Sequence, residues 1–142
     1  MMQNNEQPSA VPLQLSISLP RAPDTNICLH LTITNCIQLF LTTAPKGDLS
    51  NEAPLGSFVY ALPDRINQGQ ALSTPLYTYE SSVEFTTRLA KALARKTQKP
   101  VYVGNSMSFA SAGMGGTVEE EMEGLKVVIQ VVIDAVQKNS AS

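Results

Sequence analysis

The 142-residue chain contains no tryptophan, a single histidine and two cysteines, and only 15% of its residues are charged. Each shortage excludes something. His30 has no acidic or nucleophilic companion at a useful spacing, so a general acid–base pair cannot be assembled from neighbouring residues. Cys28 and Cys36 are too few for a disulfide scaffold and lack the C-x-x-C spacing of a metal or redox site. They read as small buried hydrophobes of a reducing compartment, with a disulfide across the hairpin turn they flank as the alternative. A net charge of −2 provides no basic field for a phosphate backbone, which argues against non-specific nucleic-acid binding. No apolar run approaches the roughly 20 residues a membrane span requires. Residues 1–10 have neither the basic start nor the apolar centre of a signal peptide. A cytosolic or nuclear location follows by elimination.

What is present suits one ordinary core. Apolar residues make up 43% of the chain, and a chain of this size buries roughly two-thirds of its unfolded surface. The charged fraction lies below the typical ~25%, which points either to a surface covered by a partner or to one rich in Ser, Thr and Asn. Residues 1–10 and 138–142 have the composition of disordered tails, and residues 11–137 read as a single domain.

The patterning is that of an α+β fold. Leu13, Leu15, Ile17 and Leu19 alternate with polar residues, the period-2 mark of a strand with one buried face. Ile27, Leu29, Leu31 and Ile33 repeat it against Cys28, His30, Thr32 and Thr34. Ile37, Leu39 and Leu41 do so against Gln38, Phe40 and Thr42. The short interval around Asn35 predicts a tight hairpin between these last two strands. Residues 57–62 predict a fourth strand ended by Pro63, residues 64–75 a loop, and residues 76–79 a short strand. Ser81 and Glu84 form a capping-box pattern ahead of a helix over residues 82–97, whose apolar stripe is Phe85, Leu89 and Leu93. Pro100 stops it before a strand over residues 101–104. After Gly113, Gly115 and Gly116, Thr117 and Glu120 make a second capping pattern. Val118, Met122, Leu125, Ile129, Val132 and Val136 then follow at helical steps. The β-branched residues of 125–133 leave a strand as the alternative there.

Three constellations bear on function. Arg88, Lys91, Arg95 and Lys99 recur at steps of three and four, with Lys96 beside them, and share a helix face opposite the apolar stripe. That face is either solvated surface or a docking site for an acidic protein. The polar side of the sheet collects Cys28, His30, Phe40, Tyr102 and one of Phe58 or Tyr60. Aromatic groups on a half-polar face suit an interface, and the alternative is coverage by a second layer of the same chain, such as its last helix. Residues 113–117 resemble a phosphate-cradling loop in composition, but a P-loop needs a lysine next to the Ser/Thr, and here three glutamates follow instead and would repel an anion. A small nucleotide-binding enzyme and a self-pairing adaptor are therefore rival readings.

Leu93-Ala94-Arg95-Lys96-Thr97-Gln98-Lys99, followed by Val101-Tyr102-Val103, resembles the helix-to-strand junction of the proteasome assembly chaperone 4 family. His30 with Leu39-Phe40-Leu41 and Ala44-Pro45 is similar to that family's central hairpin, and Glu120-Glu121-Met122-Glu123 to its closing helix. The resemblance spans roughly residues 13–124. It departs in the Gly/Ser-rich stretch 105–116 and in the apolar extension 125–136. It implies a central antiparallel sheet of about six strands with flanking helices and no cofactor. It also implies a heterodimer with a related chaperone, proteasome assembly chaperone 3, and binding to alpha-type subunits, chiefly the fifth, as the alpha ring of the 20S proteasome forms. On that basis Cys28, His30, Phe40 and Tyr102 are expected to face the partner chaperone. Arg88, Lys91, Arg95, Lys96 and Lys99 are expected to face the client.

Overall fold

The computed structural model describes residues 12–19, 22–45, 56–80, 82–107 and 118–141. The elements run β1 (Leu13–Leu19), β2 (Ala22–Ile33), β3 (Ile37–Pro45), β4 (Ser57–Pro63), β5 (Ala71–Tyr77), α1 (Val83–Thr97), β6 (Val101–Asn105) and α2 (Val118–Ala141). The six strands form one sheet in the order β1-β2-β3-β6-β4-β5. β1, β2 and β3 form an antiparallel meander, and Ile33 opposes Ile37 across the predicted turn.

Six strands flanked by helices match the expected architecture, but the sheet is mixed. β6 runs parallel to β3, with Leu39 opposite Val103, and antiparallel to β4, with Val59 opposite Val103. The cause is the connection. The chain leaves β3, builds the β4–β5 hairpin, crosses the sheet through α1 and returns as a new strand in the gap between β3 and β4. Parallel neighbours need such a helical crossover, whereas antiparallel ones can be joined by a turn.

The period-2 pattern sorts side chains to two faces. Ile27, Leu29, Leu31, Ile37, Leu39, Leu41, Val59, Ala61, Val101 and Val103 are buried on one of them. Both helices cover that face. α1 contributes Leu89, Ala90, Leu93 and Ala94 and lies over β4, β5 and β6. α2 contributes Val128, Val132 and Val136, beside α1 and against β2. Fully burying each large side chain contributes roughly 1.5–3 kcal/mol, so this single shared core is what holds the layers together.

Several boundaries differ from the sequence reading. β5 begins at Ala71 inside the expected loop, because pairing with β4 sets Leu72 opposite Leu62 and Thr74 opposite Tyr60. Its Pro75 is tolerated because β5 is an edge strand. Leu125 through Ile133 are helical, and the buried stripe runs through Val128, Val132 and Val136 while Met122 is 39% exposed. The helix also continues through Ala141, so Lys138 and the residues after it extend its last turns instead of starting a tail at 138. Residue Ser82 is the N-cap of α1, yet its hydroxyl makes no capping bond. The side chain is turned toward Ser57 instead. Ser81, Thr117 and the glycines at 113, 115 and 116 lie outside the described residues, as do residues 1–10.

Both cysteines are free. Cys28 sits mid-strand opposite Thr42, whereas Cys36 belongs to the bend beyond Ile33. An extended strand rising ~3.3 Å per residue keeps the two thiols apart.

Candidate functional site

The second face of the sheet carries Cys28, His30, Phe40, Phe58, Tyr60 and Tyr102, and no element among the described residues packs on it. The alternative in which α2 covers this face is thus excluded, since α2 lies on the core side. Register explains the assembly. His30 opposes Phe40 on β2 and β3. Phe40 and Phe58 both oppose Gly104 of the intervening β6. Gly104 has no side chain on this face, and the two phenyl rings close over it, with centroids 5.9 Å apart and planes within 10°. Phe58 stacks on Tyr102 at 6.0 Å, and Tyr102 meets Tyr60 at 4.6 Å. Phe40, Phe58, Tyr102 and Tyr60 therefore form one continuous aromatic ladder across three strands. Phe40 remains 41% exposed. Both Phe58 and Tyr60 belong to it, where the sequence pattern admitted one.

Such a ladder presents large, rigid, mainly apolar groups at little conformational cost, which is the composition of interface centres. Polar Gln14, Ser16 and Ser18 of β1 and Gln38 and Thr42 of β3 border it. Among the described residues no group of three His, Cys, Asp or Glu side chains is placed to hold a metal ion.

The basic residues lie on the outer surface of α1 and just beyond its end. Arg88, Arg95 and Lys96 are exposed, and Lys91 and Lys99 are half-buried. Arg88 is placed 3.9 Å from the Glu84 carboxylate one turn earlier, an exposed pair worth a few tenths of a kcal/mol. Lys99 Nζ donates to the Thr34 carbonyl at 3.3 Å and ties the α1–β6 turn to the β2–β3 bend. Arg95 and Lys96 make no ion pair among the described residues. They are the freest cations of the set. α1 ends in an αL residue, Gln98 at φ 57°, whose N–H donates to the Ala94 carbonyl, so the helix terminates sharply and holds these cations at one end of the sheet.

Two features escaped the sequence reading. One is a buried polar chain behind the sheet. Ser57 Oγ accepts from the Tyr79 amide at 2.9 Å and pairs with Ser82 Oγ at 2.8 Å. Thr86 Oγ1 donates to the Ser82 carbonyl at 2.6 Å, and Asn105 Nδ2 donates to Thr86 Oγ1 at 3.1 Å. Asn105 Oδ1 accepts from the Met107 amide at 2.9 Å. Isolated serines and threonines give no pattern that would have revealed it. At the same junction Gly56 has φ +69°, and a Cβ there would collide with the Asn105 carbonyl oxygen, so β4 and β6 can approach only with glycine at this position.

The other is the loop between β4 and β5. Asp64 Oδ1 accepts from the amides of Ile66 and Asn67 at 2.9 and 3.2 Å, and Oδ2 accepts from Asn67 Nδ2 at 3.1 Å. Bonds from the Asn67 side chain and then from the Ile66 and Asn67 amides hold the Asp64 carboxyl below its ordinary pKa.

A family model for proteasome assembly chaperone 4 matches residues 26–107, more than half of the chain, from β2 to the end of β6. The match does not reach β1 or α2. Among curated proteins none matches the chain. The fold is similar to that of a solved structure titled a novel chaperone complex for yeast 20S proteasome assembly. That likeness has a TM-score of 0.61 at 12% identity, covering 91% of this chain and 96% of the other.

Proposed function

Because the chain belongs to the proteasome assembly chaperone 4 family, we propose that it is a non-catalytic chaperone that pairs with a related chaperone and binds alpha-type subunits during formation of the 20S alpha ring. The observation that carries this reading is the aromatic ladder of Phe40, Phe58, Tyr102 and Tyr60, on which no element among the described residues packs. A sheet with one helix-covered face and one aromatic face suits sheet-on-sheet packing, the arrangement in which two inner faces interdigitate to make a shared core. The partner of this reading is a proteasome assembly chaperone 3-like protein bound through Cys28, His30, Phe40 and Tyr102. The client is an alpha-type subunit, chiefly the fifth, met by Arg88, Lys91, Arg95, Lys96 and Lys99. Action in the cytosol or nucleus belongs to the same proposal.

Co-purification tests it. Phe40→Asp, which sets a carboxylate in the middle of the ladder, abolishes pairing with the partner chaperone if the open face is the interface. Unchanged pairing sinks that assignment. The double change Arg95→Glu with Lys96→Glu abolishes capture of the alpha-type subunit while pairing persists. Undiminished capture reduces the basic face to solvated surface.

A further inference from the structure

The loop that joins β4 to β5 holds its most apolar residue out in water. Ile66 is 90% exposed. Singly exposed aliphatic residues are ordinary on a protein surface, but this one is placed by a closed set of bonds. The Asp64 carboxylate receives the amides of Ile66 and Asn67 and the Asn67 side chain. The Asp64 amide donates to the Gln70 carbonyl at 3.0 Å, and the Gln70 amide donates to the Asn67 carbonyl at 3.1 Å. Gly69, at φ +82°, makes the reversal between them possible. The backbone on both sides of Ile66 is therefore fixed before any partner arrives, and preorganisation of that kind reduces the ordering cost of association.

Position in the fold adds a second argument. Ala61 opposes Val101, so the loop that follows β4 projects beyond the start of β6. The turn out of α1 also lies at this end, because the Ile37 amide donates to the Pro100 carbonyl at 2.9 Å. Exposed Arg65 next to Ile66 thus shares one end of the sheet with Arg95, Lys96 and Lys99. Leu72, the second residue of β5 and 56% exposed, adjoins the loop. The one carboxylate of the loop, Asp64, is occupied by its three donors. What this end offers a partner is an apolar tip in a positive surround.

We propose that the Asp64–Gln70 turn is a docking knob in which Ile66 is the anchor and Arg65 with the cations at the end of α1 the rim, fitted to a protein surface that carries carboxylates around an apolar recess. A phosphate backbone would meet the cations but has no recess for a branched aliphatic side chain. The inference deepens the client contact proposed above and rests on that reading.

The test uses the chaperone pair and recombinant fifth alpha-type subunit as the probe, with capture, chaperone pairing and melting temperature measured separately. Ile66→Asp is expected to weaken capture at least tenfold, the loss typical of a removed anchor. Ile66→Leu keeps capture, and pairing and melting temperature do not move in either variant. If Ile66→Asp captures normally while Arg95→Glu with Lys96→Glu does not, the knob is wrong and the client reading stands. If Ile66→Asp breaks chaperone pairing instead, the occupant assigned to the knob is wrong. If the unmodified pair captures no alpha-type subunit, the client reading falls and the knob falls with it.

Discussion

Phe40 and Phe58 lie on strands that are not neighbours, yet their rings stack 5.9 Å apart because the residue between them in the sheet is Gly104. Two strand spacings separate their backbones by about 9.5 Å, so the rings lean together over the gap. This makes Gly104→Val a discriminating change. Valine favours strands over glycine, and a strand effect alone would raise stability. Separation of the rings removes a pair worth about 0.5–1.5 kcal/mol. The expected outcome in urea denaturation is no gain or a loss, together with weakened pairing to the partner chaperone. A clear stabilisation with intact pairing would show that the gap is immaterial.

Adjacent residues on β3 should behave in opposite ways. Leu39 is fully buried between Leu31 and Val103, and Leu39→Ala should cost ~2–5 kcal/mol through lost transfer energy and a residual cavity. Phe40→Asp removes no core contact on that side and should leave the urea midpoint far less affected. Equal destabilisation by the two changes would contradict the two-faced sheet.

Asn105 supplies both an acceptor for the Met107 amide and a donor to Thr86 Oγ1. Asn105→Leu leaves a buried amide without its partner, at a cost of about 1–3 kcal/mol. Adding Thr86→Val should cost less than the sum of the two single changes, since both interrupt one chain of bonds. Strict additivity in a double-mutant cycle would mean that the residues act separately.

The Asp64 loop has a definite pH response. Because its folded pKa is depressed, the clamp contributes fully above the ordinary aspartate value and is lost as pH falls through the lower folded value. Amide resonances of Ile66 and Asn67 should therefore stay constant from neutrality down through mild acid and move only in strong acid. A titration midpoint at or above the ordinary aspartate value would rule the clamp out.

Where local pattern and burial coincide, the sequence was a good guide. Alternation in β2 and β3 named core residues because one face of each strand is covered, whereas on the edge strand β1 Leu15 and Ile17 are only partly buried and Leu13 is 41% exposed. The stripe of Phe85, Leu89 and Leu93 located α1 to within a residue of Val83. The basic residues of α1 were legible for the same reason, since helical spacing places them on one side. The aromatic face was only partly so. Phe40 and Tyr102 were assigned to it; Phe58 and Tyr60, two residues apart on β4, share one face by alternation, and what no spacing could reveal is that β6 enters beside β4 and brings that face against Tyr102.

Four further features depended on pairing between distant segments. The start of β5 at Ala71 needed β4 alongside it. The helical state of residues 125–133 needed the core face of the sheet, which Val128, Val132 and Val136 fill where local propensity alone left a strand open. The polar chain from Ser57 to Asn105 joins residues 48 positions apart through groups that leave no periodic trace. Exposure of Ile66 is decided by Asp64, whose carboxylate fixes the turn. By itself the sequence determined which side chains of the central strands and of α1 belong inside, since periodicity is a local quantity. Only the tertiary structure decided that the sheet is mixed and that no element among the described residues covers its aromatic side, because strand order and the placement of α2 follow from where distant apolar faces can be buried together.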